Sequence, residues 1–390
     1  MASSAGVGPS PAQGPLAGVV VVDFSRVLAG PYATALLADL GARVIKVEPR
    51  DGDDYRHVGP WLGSESALFA TVNRGKESIV LDLKDATDLA FALELCAHAD
   101  VVVENFRPGV AAKLGIGEDV LMARNPRLVY ASISGFGQSG PMRERPAYDI
   151  IVQALTGLMS INGEPSGPPT LVGESIGDVA AGLYGSWAIL AALFQRERTG
   201  LGCRIDLAMF DALLAMMPLA TTRYLATGNV PQRAGNNHAL SAPFGAFRTG
   251  DGHVVVAVLN SKLFEKFASV IGRADLVHDP RFVTDSARKV HEDALRAAFE
   301  DWSTRHSTDD VVAALTGAGV PVTRIQDVRE AVESEHARER GLFRRPASGA
   351  PDLRLPEQPA TFSTMERGRP AIAPKLDEHA AAVRAWVAAR

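Results

Sequence analysis

Apolar positions along this chain fall into two rhythms: short β-branched runs, and longer stretches in which they recur every three or four residues. Gly18–Asp23 reads as a buried strand, Ser25–Pro31 as a turn, the apolar positions through Leu40 as a helix, and Arg43–Glu48 as a second strand. Together they predict a βαβ unit. The alternation goes on: a helix near Ala86–His98 leads into a strand at Asp100–Glu104, and a further short helix leads into Arg127–Ser132. Strands that alternate with helices predict a parallel, doubly wound sheet.

Helices are expected over Tyr148–Ile161 and Asp178–Gln195, with the Gly- and Pro-rich stretch Gly163–Gly173 as a loop between them. A strand at Cys203–Ala208 and a helix near Asp211–Thr227 follow. Beyond this the texture changes. Gly245–Thr249 and His253–Leu259 flank Gly250-Asp251-Gly252, a hairpin signal that opens a second, α+β domain. Helices near Ser261–Ile271, Ala287–Ser303 and Thr308–Gly317 belong to it; Pro346–Pro374 reads as irregular, and a helix near Glu378–Ala389 ends the chain.

Composition narrows the function classes. With 390 residues, 46% hydrophobic and 22% charged, the chain is long enough for two packed domains and does not resemble a disordered or fibrous protein. A net charge of −5 and the lack of a long Lys/Arg run argue against a nucleic-acid partner, so an anionic ligand must be held locally by a few cations and helix N-termini. Cys96 and Cys203 lie far apart in apolar stretches, which predicts reduced thiols and a cytoplasmic setting. Residues 1–16 have neither a basic segment nor an apolar one, and are expected to be a disordered tail rather than a signal. The longest apolar run, Val179–Phe194, is broken by Gly182, Gly185 and Ser186, so a buried helix is expected and no membrane partner.

The opening βαβ unit invites a dinucleotide-binding reading, which the turn excludes. Ser25-Arg26-Val27-Leu28-Ala29-Gly30-Pro31 carries bulky side chains where a pyrophosphate needs bare backbone. Arg26 stands at the carboxyl end of a parallel strand, just before a tight helix entry, where open α/β sheets bind ligands. It is a candidate anion contact, against the plainer reading of a surface arginine.

Five blocks in order carry a resemblance. They are Arg26–Pro31, Gly41–Glu48, Asn73-Arg74-Gly75-Lys76, Val103–Gly109 and Gly135–Pro141, with Ile176-Gly177-Asp178 after them. The chain resembles the class III CoA-transferase family, the CaiB/BaiF group, over roughly residues 14–385. The resemblance implies an α/β fold with a Rossmann-like large domain (17–228, completed by a return segment 331–390), a small α+β domain at 229–330, and an interlocked ring homodimer. It places the catalytic carboxylate on Asp178. CoA contacts are implied for Val27, Leu28, Ala29, Leu81, Lys84, Asn105, Phe106, Arg107, Lys113, Arg145 and Tyr148. Formyl-CoA transferase has an arginine where this chain has Pro49, so Arg50 is expected to take that contact. The glycine-rich loop of that enzyme shrinks here to Gly235–His238, which argues against formyl-CoA and oxalate as substrates.

The chemistry implied is a covalent relay through Asp178 between an acyl-CoA and a small carboxylic acid, with no tightly bound cofactor and no metal. Asp after Gly at a helix start is also what an ordinary N-cap looks like. Lys84, Lys113 and Arg107 are candidates for the CoA phosphates, each competing with a solvated surface role. Tyr148 is a candidate for the acyl pocket and His238 for the acceptor, each with a packing role as its alternative. Arg26, Arg50, Arg56 and Arg74 are available for a distal carboxylate, and the resemblance, greatest to the glutarate, mesaconate, itaconate and citramalate transferases, implies a short dicarboxylate acceptor with succinyl-CoA as donor. Two other activities share the pattern: a 2-methylacyl-CoA racemase, disfavoured because Tyr148-Asp149 stands where a His-Asp pair is needed, and a non-catalytic acyl-CoA binding protein.

Overall fold

The computed structural model describes residues 14–346, 353–365 and 370–390. The expected tail falls outside these residues up to position 13. Its last part is packed, because Leu16 is buried and its N–H bonds the Leu40 carbonyl at 2.9 Å.

The described chain forms two compact units. The larger, 1–158, 172–227 and 335–390, is built on six parallel strands: β1 Val20–Asp23, β2 Arg43–Glu48, β3 Lys76–Val80, β4 Val101–Glu104, β5 Val129–Ser134 and β6 Arg204–Ala208. Their order across the sheet is β3-β2-β1-β4-β5-β6, the doubly wound arrangement, with its direction reversing between β1 and β4. All four residues of β1 are buried. Val21 joins the apolar layer on one face with helices α1 (Ala29–Asp39) and α4 (Ile176–Thr199), and Val20 and Val22 join the layer on the other with α2 (Ala86–Ala97) and α9 (Ala380–Ala388). A strand covered on both faces reads as a continuous apolar run, which is why its sequence reveals it.

Charged residues of β1, β2 and β3 break this apolar pattern and point into the interior. Asp23 pairs with Lys76 at 2.9 Å, with both side chains fully buried. Lys46 pairs with Asp53 at 2.8 Å, and Glu48 receives both Arg56 nitrogens at 2.7 Å. Burial opposes the ionised form of Asp23, but Lys76 and Lys46 outweigh it and hold the carboxyl below its usual range.

Helix α4 packs closely on α1 because it carries glycine where the two meet. A Cβ on Gly182 would lie 2.8 Å from Tyr32 and 3.0 Å from the Ala29 carbonyl oxygen. At its far end Arg196, almost wholly buried, pairs with Asp100 at 2.9 Å. By length and composition α4 is apolar enough to cross a membrane, yet Ala180, Ala181, Ile189 and Leu193 are buried in the core of this unit.

The smaller unit comprises 159–171 and 228–334, the latter following helix α5 (Pro218–Thr227), so it also takes in most of the stretch read from sequence as a loop of the large domain. Its antiparallel strands β7 (Phe244–Arg248), β8 (His253–Ala257) and β9 (Val322–Arg324) pack with α6 (Ser261–Val270), α7 (Glu292–Ser303) and α8 (Thr308–Gly317) around Phe247, Phe264, Phe267 and Phe299.

Candidate active site

Asp178 lies in the first turn of α4, which opens at Ile176, two residues earlier than the sequence suggests. The N-cap is therefore Ser175, and the Asp178 carboxylate is free of that duty. The helix entry is held instead by Asp149, at the start of α3 (Asp149–Leu155): its carboxylate accepts the Gly177 N–H and the Gln153 side-chain amide, each at 2.7 Å. Burial pushes the Asp178 carboxyl up, the Asp149 charge pushes it further, and the result is about 7. The Ala29 N–H is what favours its ionised form.

That N–H belongs to the first residue of α1, whose N-terminus faces the same cavity. With Pro31 at the third position, the amides of this first turn that need a partner outside the helix are those of Ala29, which meets Asp178, and Gly30. The approach to the helix is a left-handed turn, with Val27 at φ 68°. A β-branched residue in that conformation costs roughly 1–2 kcal/mol, so the turn has to be held from outside. Asn105 holds Arg26, accepting its N–H at 2.8 Å and donating to its carbonyl at 2.7 Å, and Asp53 accepts the Val27 N–H at 3.1 Å.

Two cavities meet here and share Arg26 and Phe106. One, of about 510 Å³, lies at the switch point between β1 and β4 and brings together Arg26–Ala29, Asn105–Arg107, Arg145, Tyr148 and Asp178. The other, of about 420 Å³, lies over the ends of β2 and β3 and is lined by Arg50, Leu81 and Lys84. Arg50 stands on its rim, with its side chain 76% exposed and 3.9 Å from Asp82. Tyr148 stands 73% exposed at the mouth of the first cavity. Arg26 pairs with Asp54 at 3.1 Å across the same mouth.

Other predicted positions are placed elsewhere. Arg74 is buried, with its guanidinium spent on Asp39 and the Thr71 carbonyl, so it packs the fold and meets no acceptor. Arg56 is spent on Glu48, the Pro374 carbonyl and the Phe69 ring. Lys113 is exposed and lines neither cavity. His238 belongs to the smaller unit, where its ring stacks on Phe244 at 4.6 Å and its Nδ1 accepts the N–H groups of Leu240 and Ser241.

Sequence reasoning missed Asp149 as the group that holds Asp178, Met209 and Arg143 as lining residues, and Asp53 as the support of the turn. Only Asp149 gave a signal, as an acid at a helix start. Among the described residues no group of His, Cys, Asp and Glu is placed to hold a metal ion.

Similarity to known proteins agrees with this geometry. The family model described as CoA-transferase family III matches residues 16–380. The chain is 45% identical to the acetyl-CoA:oxalate CoA-transferase of Acetobacter aceti over 98% of both proteins. It is 38% identical to the succinate–glutarate CoA-transferase of Agrobacterium fabrum over 84% of each. A crystal structure of a CAIB/BAIF family protein from Brucella suis superposes with a TM-score of 0.86 at 38% identity, covering 96% of this chain and 99% of that one.

Proposed function

The chain belongs to CoA-transferase family III, and from that premise we propose that Asp178 carries acyl groups and CoA in turn between an acyl-CoA donor and a short dicarboxylic acid. The observation that carries the reading is the single carboxylate held ready at the switch-point cavity, raised to about 7 by burial and Asp149, and faced by the N-terminus of α1.

The Asp178 carboxylate attacks the donor thioester carbonyl; the C–S bond breaks, leaving an aspartyl acyl anhydride and CoA thiolate. The thiolate attacks the aspartyl carbonyl and releases the donor acid as its carboxylate, leaving an aspartyl-CoA thioester. The acceptor carboxylate then attacks this thioester and frees the thiolate again, forming a second anhydride. The thiolate finally takes the acceptor acyl group and restores the free carboxylate. No proton is consumed overall and the thioester count is unchanged. A carboxylate with a raised pKa is the better nucleophile once ionised, and the amides of Ala29 and Gly30 suit the negative charge that builds up on the attacked carbonyl oxygen.

CoA is read as lying across both cavities, with its phosphates toward Arg50 and Lys84 and its thioester toward Asp178. The acceptor is a short dicarboxylate, for which Arg26, which lines the same cavity as Asp178 and keeps part of its surface free, supplies a cation. Oxalate is kept among the acceptors to test, because a relative named for oxalate aligns over almost the whole chain. A second copy of the chain is proposed to cover α4, where Leu183, Trp187 and Phe194 form one exposed apolar stripe at helical spacing, 44%, 66% and 62% exposed. A cytoplasmic setting follows from the same chemistry, which depends on intracellular acyl-CoA pools.

The test is incubation with acetyl-CoA or succinyl-CoA and a panel from oxalate to glutarate, with new CoA esters identified by mass. Asp178→Ala is expected to lower exchange at least 10³-fold, and hydroxylamine is expected to trap an adduct at Asp178 in the parent. Exchange that survives Asp178→Ala refutes the relay. Loss of α-deuterium from a 2-methylacyl-CoA without any acceptor points to racemisation instead.

A further inference from the structure

Three successive residues of the turn before α1 have their backbone held by a side chain from elsewhere. The Ser25 carbonyl accepts from Lys46 Nζ at 2.8 Å, Arg26 is clamped by Asn105, and the Val27 N–H donates to Asp53 Oδ1 at 3.1 Å. The same Asp53 oxygen accepts the Tyr55 N–H at 2.9 Å, and so also caps the short 3-10 helix Asp54–His57. The other oxygen, Oδ2, faces Lys46 Nζ at 2.8 Å, while the Asp53 N–H donates to Glu48. Both partners of the pair are shut off from solvent, with side-chain exposures of 1% and 0%. Neither lines the two cavities, yet both are ionisable groups in the interior, where a charge is tolerated only when paired.

A pair placed merely to fill the interior has no need to touch the one left-handed β-branched residue in the cavity wall. On the transfer reading above, we propose that Asp53, fixed by Lys46, is a positioning residue that holds Val27 in its left-handed conformation and so aims the N-terminus of α1 at Asp178. The pair acts through the backbone. Without its acceptor, Val27 is free to turn back to negative φ, and Leu28 and Ala29 swing with it. This gives a purpose to the lysine of one resemblance-bearing stretch, Gly41–Glu48, which the covalent chemistry leaves unused.

Removing one partner alone leaves a buried charge, so the test neutralises both. Lys46→Met with Asp53→Asn keeps a carbonyl oxygen for the Val27 and Tyr55 amides, whereas Lys46→Met with Asp53→Leu keeps the volume and removes the acceptor. In hydrogen exchange, peptides covering residues 25–29 are expected to stay protected in the Asn form and to exchange at least tenfold faster in the Leu form. This arm needs no activity, and equal protection overturns the proposal even if the parent transfers no CoA.

In the transfer assay the Leu form is expected to lose at least tenfold in kcat relative to the Asn form, with KM for acyl-CoA within threefold. Adding Val27→Gly to the Leu form is expected to restore kcat several-fold, because glycine adopts positive φ without support. Equal kcat in the two forms, or a Leu form that glycine fails to improve, overturns the proposal and leaves the transfer reading intact. A parent that shows no exchange sinks the transfer reading by itself. If the Leu form does not fold, Lys46→Met with Asp53→Ala, which removes the same acceptor, takes its place in both arms, and protection of residues 25–29 and kcat equal to those of the Asn form overturn the proposal.

Discussion

The corner where β2 and β3 end holds the same residue types at two depths, and they behave in opposite ways. On the rim, Arg50 and Lys84 stand in solvent beside the smaller cavity. Farther in, Lys46 and Lys76 are buried and Arg56 is mostly covered, and each closes on a carboxylate at 2.7–2.9 Å. The rim is left free to meet a ligand's charge, whereas the floor has spent its charge on the fold. Depth and partner decide what a cation does here; residue type does not.

This contrast breaks most readily at the floor. Lys76→Met leaves Asp23 buried and unpaired, and is expected to cost about 3–5 kcal/mol, read as a fall in the urea midpoint or as loss of folded protein. If Lys76→Met is as stable as the parent, the floor has no structural role. Arg74→Met, which uncovers the more exposed Asp39, is expected to cost about 2 kcal/mol in thermal unfolding while KM for the acceptor stays the same. A raised acceptor KM would return Arg74 to the site.

Asp178, the proposed nucleophile, sharpens the comparison, since it is an acid left without a cation. Its carboxyl is held up near 7, so ionisation is completed only above that pH, and kcat is expected to fall about tenfold per pH unit below it. Asp149→Asn removes the charge that helps to hold it up, so the acid limb of the profile is expected to move to lower pH. A limb that stays put in the variant assigns the effect to burial alone. The smallest effect belongs to the rim. Lys84→Ala and Arg50→Ala are each expected to raise KM for acyl-CoA about three- to fivefold, as suits exposed charges, with kcat and melting temperature unchanged and the difference shrinking at high salt.

How much of this the sequence reveals follows the same division by depth. β2 was legible to the residue, and β1, β4, β5 and β6 to within two, because β1 and β4 are continuous apolar runs and β6 alternates exposed and covered positions. β3 was not, since Lys76-Glu77-Ser78 looks like a polar loop until Asp23 and Glu48 are found opposite Lys76 and Ser78. The helical stretch from Tyr148 to Ile161 is divided by Gly157 at φ 83°, and the rest falls in the smaller unit, a division that periodicity does not carry. Asp178 was reached through the motif blocks, while its neighbour Asp149 looked like a helix start and proved to be what holds it. The arginines failed as predictors for a physical reason: a guanidinium suits a bidentate structural carboxylate as well as it suits a ligand, and sequence does not show which one it meets.

Helix α4 is fastened at both ends, by Gly177 to Asp149 near its start and by Arg196 to Asp100 near its finish. It therefore serves as a ruler between the base of the sheet and its reactive edge. Losing one residue between these ties shortens it by about 1.5 Å and turns its first residues by about 100°, which carries position 178 off the cavity wall. Sequence drift in this protein is thus freer to change the outward residues of the helix than its length.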